Sequence, residues 1–207
     1  MTNMTNMTNN PNVLTIDFET YSEADIKKSG AYKYSEHPST EVIMVAFKLN
    51  DEPCDILDLY ELTEENNLSD KQEKLLSKLL GYIENDSIKL IAHNYAFEWA
   101  IWKNVCVKKY NWPEIKGFRW IDTMHLCGMH ALPLGLDKST EVLKLSNLKN
   151  ESGKDLIKLF SVPQKDGKRI YPVSRPDKYK VFLKYCIDDV EATYDMFCVL
   201  LKFKPEE

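Results

Sequence analysis

No stretch of this chain is apolar for long enough to span a bilayer, and none of its cysteines forms a C-x-x-C pair. The first absence argues against a membrane role. The second, with five scattered thiols (Cys54, Cys106, Cys127, Cys186, Cys198), argues against a disulfide scaffold and fits a reducing, cytoplasmic location. A basic region followed by an apolar one is also lacking at the start, so no secretory signal is expected. What stands there is MTNMTNMTNN, a threefold Met-Thr-Asn repeat read as a disordered leader over residues 1–11. Nor is there a surplus of positive charge: 27 Lys and Arg against 32 Asp and Glu leave a net charge of −5, which opposes broad electrostatic affinity for nucleic acid. Beyond the leader there is no repeat, and no linker divides the chain, so residues 12–207 are expected to form one domain. With 43% hydrophobic and 11% aromatic residues, that domain is long and apolar enough to bury a core.

The charge that is present is unevenly spread. Residues 51–73 are acidic, whereas 103–119 and 165–180 are basic. Charge runs of this kind usually mark solvated surfaces.

Runs rich in Val, Ile and Leu predict strands over 13–20, 42–49 and 88–93, with a weaker one over 54–62. Leu75, Leu76, Leu79, Leu80 and Ile83 recur at helical spacing, predicting a helix over 71–85 capped by Asp70. Further helices are expected over about 96–109, 122–131, 137–146, 153–160 and 177–203. The order implies a mixed α/β domain. Residues 161–176, with three prolines, read as an exposed loop before the last helix.

Three acidic groupings interrupt these elements. Asp17 and Glu19 lie two apart on the first strand, so they share a face and repel. A divalent cation would relieve that repulsion, because Mg²⁺ prefers carboxylate oxygens. In AHNYAFEWAIW, Asn94 is the expected helix cap and Glu98 falls in the first turn, at the C-terminal end of a strand, where α/β sites collect. Near the C-terminus, Tyr185 and Asp189 are four apart on one helical stripe with Val181, Ala192 and Met196. Each signal alone has an ordinary structural explanation. Together they offer four carboxylates and a tyrosine for a site with two divalent ions.

In these motifs the sequence resembles the DEDD superfamily of 3′–5′ exonucleases, in its tyrosine subtype. More narrowly it is similar to the proofreading exonuclease domain of family A DNA polymerases, the phage and prophage versions above all. IDFETYSEADIKKSGAYKYSEHPSTEVIMVAF, with Gly30, Tyr32 and Tyr34, then AHNYAFE, LPLGLDKSTEVLKL and GKDLIKLF carry the likeness over about residues 12–203.

The resemblance implies an RNase H-like mixed sheet flanked by helices, and hydrolysis at single-stranded DNA 3′ ends with two Mg²⁺ or Mn²⁺ ions. It makes Asp17, Glu19, Glu98 and Asp189 the metal ligands and Tyr185 the residue that orients the attacking water. Glu98 stands where many relatives have Asp, which leaves direct or water-mediated ligation open. Asp188 ranks behind Asp189. Asn94, Tyr95 and Phe97 would meet terminal bases, while Lys168 and Arg169, with the segment 103–119, would grip the backbone. His125, Cys127 and His130 do not share a helical face, and a zinc site there is not expected.

Two further readings stay open: an exoribonuclease acting on short RNA, and a non-catalytic module binding nucleic acid or a polymerase. The resemblance implies that a family A polymerase would continue into its polymerase region after about Pro205–Glu207, so two expectations stand: a stand-alone exonuclease, able to act beside a separate polymerase, or a piece of a longer chain.

Overall fold

The computed structural model describes residues 12–65, 67–145 and 153–203. The predicted leader lies outside them, as does the last residue of the helix expected over 137–146.

Five strands form one sheet: β1 (Val13–Tyr21), β2 (Glu41–Leu49), β3 (Asp55–Asp58), β4 (Lys89–Ala92) and β5 (Trp120–Asp122). Their order is β3-β2-β1-β4-β5, with β1–β2 and β2–β3 antiparallel and β1–β4 and β4–β5 parallel. The helices are α1 (Ile26–Glu36), α2 (Asp70–Glu84), α3 (Ala96–Ile101), α4 (Lys108–Tyr110), α5 (Thr123–Met129), α6 (Leu136–Val142), α7 (Gly153–Phe160) and α8 (Pro176–Leu200). This is the expected mixed sheet flanked by helices.

The two-residue period of β1 sorts its side chains. Leu14, Ile16 and Phe18 join a core with Phe47 and Leu90, covered by Leu79 and Ile83 of α2, Ile101 of α3 and Trp102. The opposite face meets α8, where Tyr21, Ile43, Met44 and Ala46 cluster with Phe182, Tyr185, Cys186 and Val190. Asp17 and Glu19 therefore stand on the α8 side of the central strand. Immediately after Glu19 the register shifts: Glu19 pairs with Met44 but Thr20 with Val42, leaving Ile43 opposite neither. Such bulges bend a strand and re-aim its side chains beside functional clefts.

Several local expectations are corrected. Ser69, not Asp70, caps α2, its side chain accepting from the Gln72 N–H, so Asp70 is the first helical residue. Asn94 does not cap α3 with its side chain. It adopts a left-handed φ of 71°, and its own N–H donates to Oδ1 of Asp122 at 2.8 Å. The helix expected over about 96–109 is not one α-helix, since Trp102–Val107 forms a π-helical stretch between α3 and α4. Val181 is 42% exposed, outside the buried stripe that Tyr185, Asp189, Ala192 and Met196 share.

The cations of the first basic segment divide: Lys103, Lys108, Lys109 and Lys116 are exposed, and Arg119 turns inward. Arg119 is buried, donating to the carbonyls of Ile88, Ile83 and Tyr82. Lys109 is bonded to the carbonyls of His37, Pro38 and Thr40, and Lys116 pairs with Asp86. These cations join elements of the fold to one another.

Candidate active site

β1, α3 and α8 converge on one cavity of about 1000 Å³ lined by Asp17, Glu19, Glu98, Tyr185 and Asp189. Each arrives by a different route. The extended β1 carries Asp17 and Glu19 to its α8 face. The parallel β1–β4 pairing places the start of α3 beside β1, and the left-handed turn at Asn94 starts the helix so that Glu98 points inward. α8 contributes Tyr185 and Asp189 one turn apart.

Burial decides the electrostatics. Glu98 is only 3% exposed, and its Oε2 has no hydrogen-bond partner. Burial, and then the nearby Asp17 and Asp122 carboxylates, push its pKa well above the ordinary range. Tyr185 is driven strongly upward by burial, then by Asp189, Glu19 and Asp17, and it hydrogen-bonds to Asp189. Its phenol therefore stays protonated at neutral pH and serves as a donor. Tyr34, whose hydroxyl lies 2.8 Å from that of Thr20, has its pKa pushed up to about 12 by burial, with Glu19 adding to the rise. The Cys186 thiol lies 3.5 Å from Oδ2 of Asp17.

Among the described residues, no three His, Cys, Asp or Glu side chains already stand in position to hold one ion. The chemistry of the donors nevertheless fits a hard divalent cation: four carboxylates border one cavity, and Glu98 presents a buried oxygen with no proton donor.

The other predicted contacts divide. Asn94 and Phe97 line the cavity, and the Phe97 ring packs 6.0 Å from that of Tyr34. Tyr95 instead packs against Trp120, with ring centroids 5.9 Å apart, off the cavity wall. Lys168 is exposed, outside the lining, and 3.7 Å from Asp166. Arg169 is tied to Glu41 at 2.5 Å and lies over the rings of Tyr21 and Tyr171, at 3.9 and 4.7 Å. Asp188 faces away, with both oxygens on the Lys184 ammonium at 2.7 and 2.8 Å. Cys127 is buried against Met196, while His125 is exposed.

Sequence reasoning missed three kinds of residue. Lys27 of α1 and Lys154 and Lys158 of α7 bring positive charge to the cavity wall. Asp122 caps α5, and the same Oδ1 that accepts from Met124 N–H also holds Asn94. Cys186 carried no sequence signal beyond its place next to Tyr185.

No family model matches the chain. A DNA polymerase of Bacillus phage SP02 is 32% identical over 200 residues, covering 94% of this chain and 28% of the relative. The chain thus spans a little over a quarter of that protein's length. Among solved structures, the family B DNA polymerase of Pyrobaculum calidifontis superposes with a TM-score of 0.54 at 15% identity, over 94% of this chain and 25% of that one. Escherichia coli RNase D, described as an exoribonuclease involved in structured RNA processing, gives 0.53 at 14%, over 92% and 39%. Brucella melitensis NrnC with bound Mg²⁺ gives 0.51 at 14%, over 92% and 72%. Among the described residues no helix is long and apolar enough to cross a membrane. The chain is a homologue of a phage DNA polymerase and carries the RNase H-like fold of the DEDD 3′–5′ exonucleases.

Proposed function

We propose that the chain is a 3′–5′ exonuclease that removes nucleotides from single-stranded DNA ends, depends on two Mg²⁺ or Mn²⁺ ions, and proofreads for a DNA polymerase. One observation carries the proposal: Asp17, Glu19, Glu98, Asp189 and Tyr185 border a single cavity, and a buried Glu98 oxygen there lacks a partner.

Asp17, Glu19, Asp189 and Glu98 would hold the ions, which when bound supply Lewis acidity to the attacking water and the departing 3′ oxygen. The residues of the chain do the rest. The protonated Tyr185 hydroxyl, hydrogen-bonded to Asp189, orients the water towards phosphorus. The water gives up one proton to solvent as its oxygen bonds to phosphorus, the bond to the 3′ oxygen breaks, and that oxygen takes up a proton from solvent. Lys154 and Lys158 offset the charge of the strand entering an acidic cavity. Phe97 offers a ring face to a terminal base, and Asn94 a polar edge.

The test is digestion of end-labelled single-stranded DNA with Mg²⁺ or Mn²⁺, run beside an RNA of the same sequence. Stepwise shortening from the 3′ end is expected, abolished by EDTA and reduced more than about 100-fold by Asp17→Ala or Asp189→Ala. Undiminished digestion by Asp17→Ala would sink the site assignment. Faster digestion of RNA would transfer the substrate class to RNA, in keeping with the fold shared with RNase D.

A further inference from the structure

Gly153 opens α7 and is buried directly against the ring of Tyr185. A Cβ built on it would lie 2.1 Å from Cε2, 2.6 Å from Cδ2 and 2.7 Å from Cζ of that ring. Close-packed interiors leave no room for such an approach, so any side chain there must displace the ring or the helix.

The ring has little freedom to retreat. Phe182 stacks on Tyr185 with centroids 6.2 Å apart and an 18° interplanar angle. Phe160 stacks on Phe182 at 5.5 Å and 17°. Phe160 is the last residue of α7, the helix that Gly153 begins. α7 therefore brackets the stack, its first residue against Tyr185 and its last behind Phe182. The same helix presents Lys154, Ile157 and Lys158 to the cavity. Lifting it would open the cavity wall as well as free the tyrosine.

We propose that Gly153 is a positioning residue for Tyr185: its missing Cβ lets α7 close on the ring and set the place of the hydroxyl beside Asp189. The catalytic consequence rests on the hydrolytic reading above; the contact itself does not.

A double-mutant cycle over Gly153→Ala and Tyr185→Ala in the full chain separates the two, read by thermal melting in EDTA and by steady-state digestion of single-stranded DNA. Gly153→Ala is expected to lower the melting midpoint by more than about 5 °C in the parent but by less than about 2 °C once Tyr185 is Ala. It is also expected to lower kcat at least about tenfold while KM stays within about threefold. Equal melting losses in both backgrounds would overturn the proposal. Coupled melting with a parental kcat would overturn the positioning role and leave a packing contact. Should Gly153→Ala not fold, recovery of folding in the double variant upholds the proposal and its absence overturns it. The melting cycle needs no activity, so an inactive parent counts against the hydrolytic reading alone.

Discussion

The Cys186 thiol lies 3.5 Å from Oδ2 of Asp17 and 3.8 Å from the Asp17 carbonyl oxygen, joining α8 to the central strand beneath the candidate site. Burial, then Asp17, Glu19 and Asp189, push its pKa well up, so it remains an S–H donor. A donor on one carboxylate oxygen restricts rotation of the group and favours the other oxygen for a ligand.

Cys186→Ala removes that donor and should slow digestion by about 3- to 10-fold, with Cys186→Ser recovering part of the loss through its hydroxyl. Calorimetric titration with Mn²⁺ gives an independent reading, in which Ala weakens binding more than Ser. Parental rate and affinity in the Ala variant would reduce Cys186 to core filling.

Glu98 makes a prediction about pH. Its folded-state pKa is raised above the unfolded value, so its protonated form favours folding at low pH. That contribution is complete below the unfolded pKa and is lost as pH rises through the folded one. Without divalent ions, Glu98→Gln should therefore gain melting temperature on the parent as pH rises from the ordinary carboxylate range through the raised folded-state pKa. Mg²⁺ should raise the parent's midpoint more than the variant's, because ligation favours the ionised carboxylate. A constant difference across that pH range would contradict the origin given for the shift.

Lys168 and Arg169 are adjacent yet should behave differently. Arg169 donates to Glu41 and Tyr60 and stacks over Tyr21, two residues beyond Glu19, so it pins the loop to the end of β1. Arg169→Ala should cost about 1–3 kcal/mol in denaturant unfolding, whereas Lys168→Glu should leave stability within about 0.5 kcal/mol. In salt-dependent DNA binding, Lys168→Glu should weaken affinity mainly at low salt. If Arg169→Ala kept full stability and lost only DNA affinity, Arg169 would be a substrate grip after all.

The elements that could be read in advance follow local rules. The leucine spacing of α2 buries one face, and the alternation in VLTIDFETY divides β1 between two packed faces, so the period alone assigns the side chains. The four-residue step from Tyr185 to Asp189 places both on one helical face whatever surrounds the helix. The elements that could not be read carry weaker local signals. β5 is three residues long and pairs only through β4, and α1 is broken at Gly30, where φ is 74°. The side-chain cap expected from Asn94 failed because Asp122, 28 residues away, holds the turn that starts α3.

By itself, then, the sequence determined which face of β1 carries Asp17 and Glu19 and which stripe of α8 carries Tyr185 and Asp189, because side-chain direction repeats with the backbone period. Only the tertiary structure decided what shares the cavity. The parallel β1–β4 pairing brings in Glu98, the packing of α7 on α8 brings in Lys154 and Lys158, and the tyrosine and glutamate packed around Arg169 draw it away. Those outcomes depend on contacts between residues far apart in the chain, which no local period encodes.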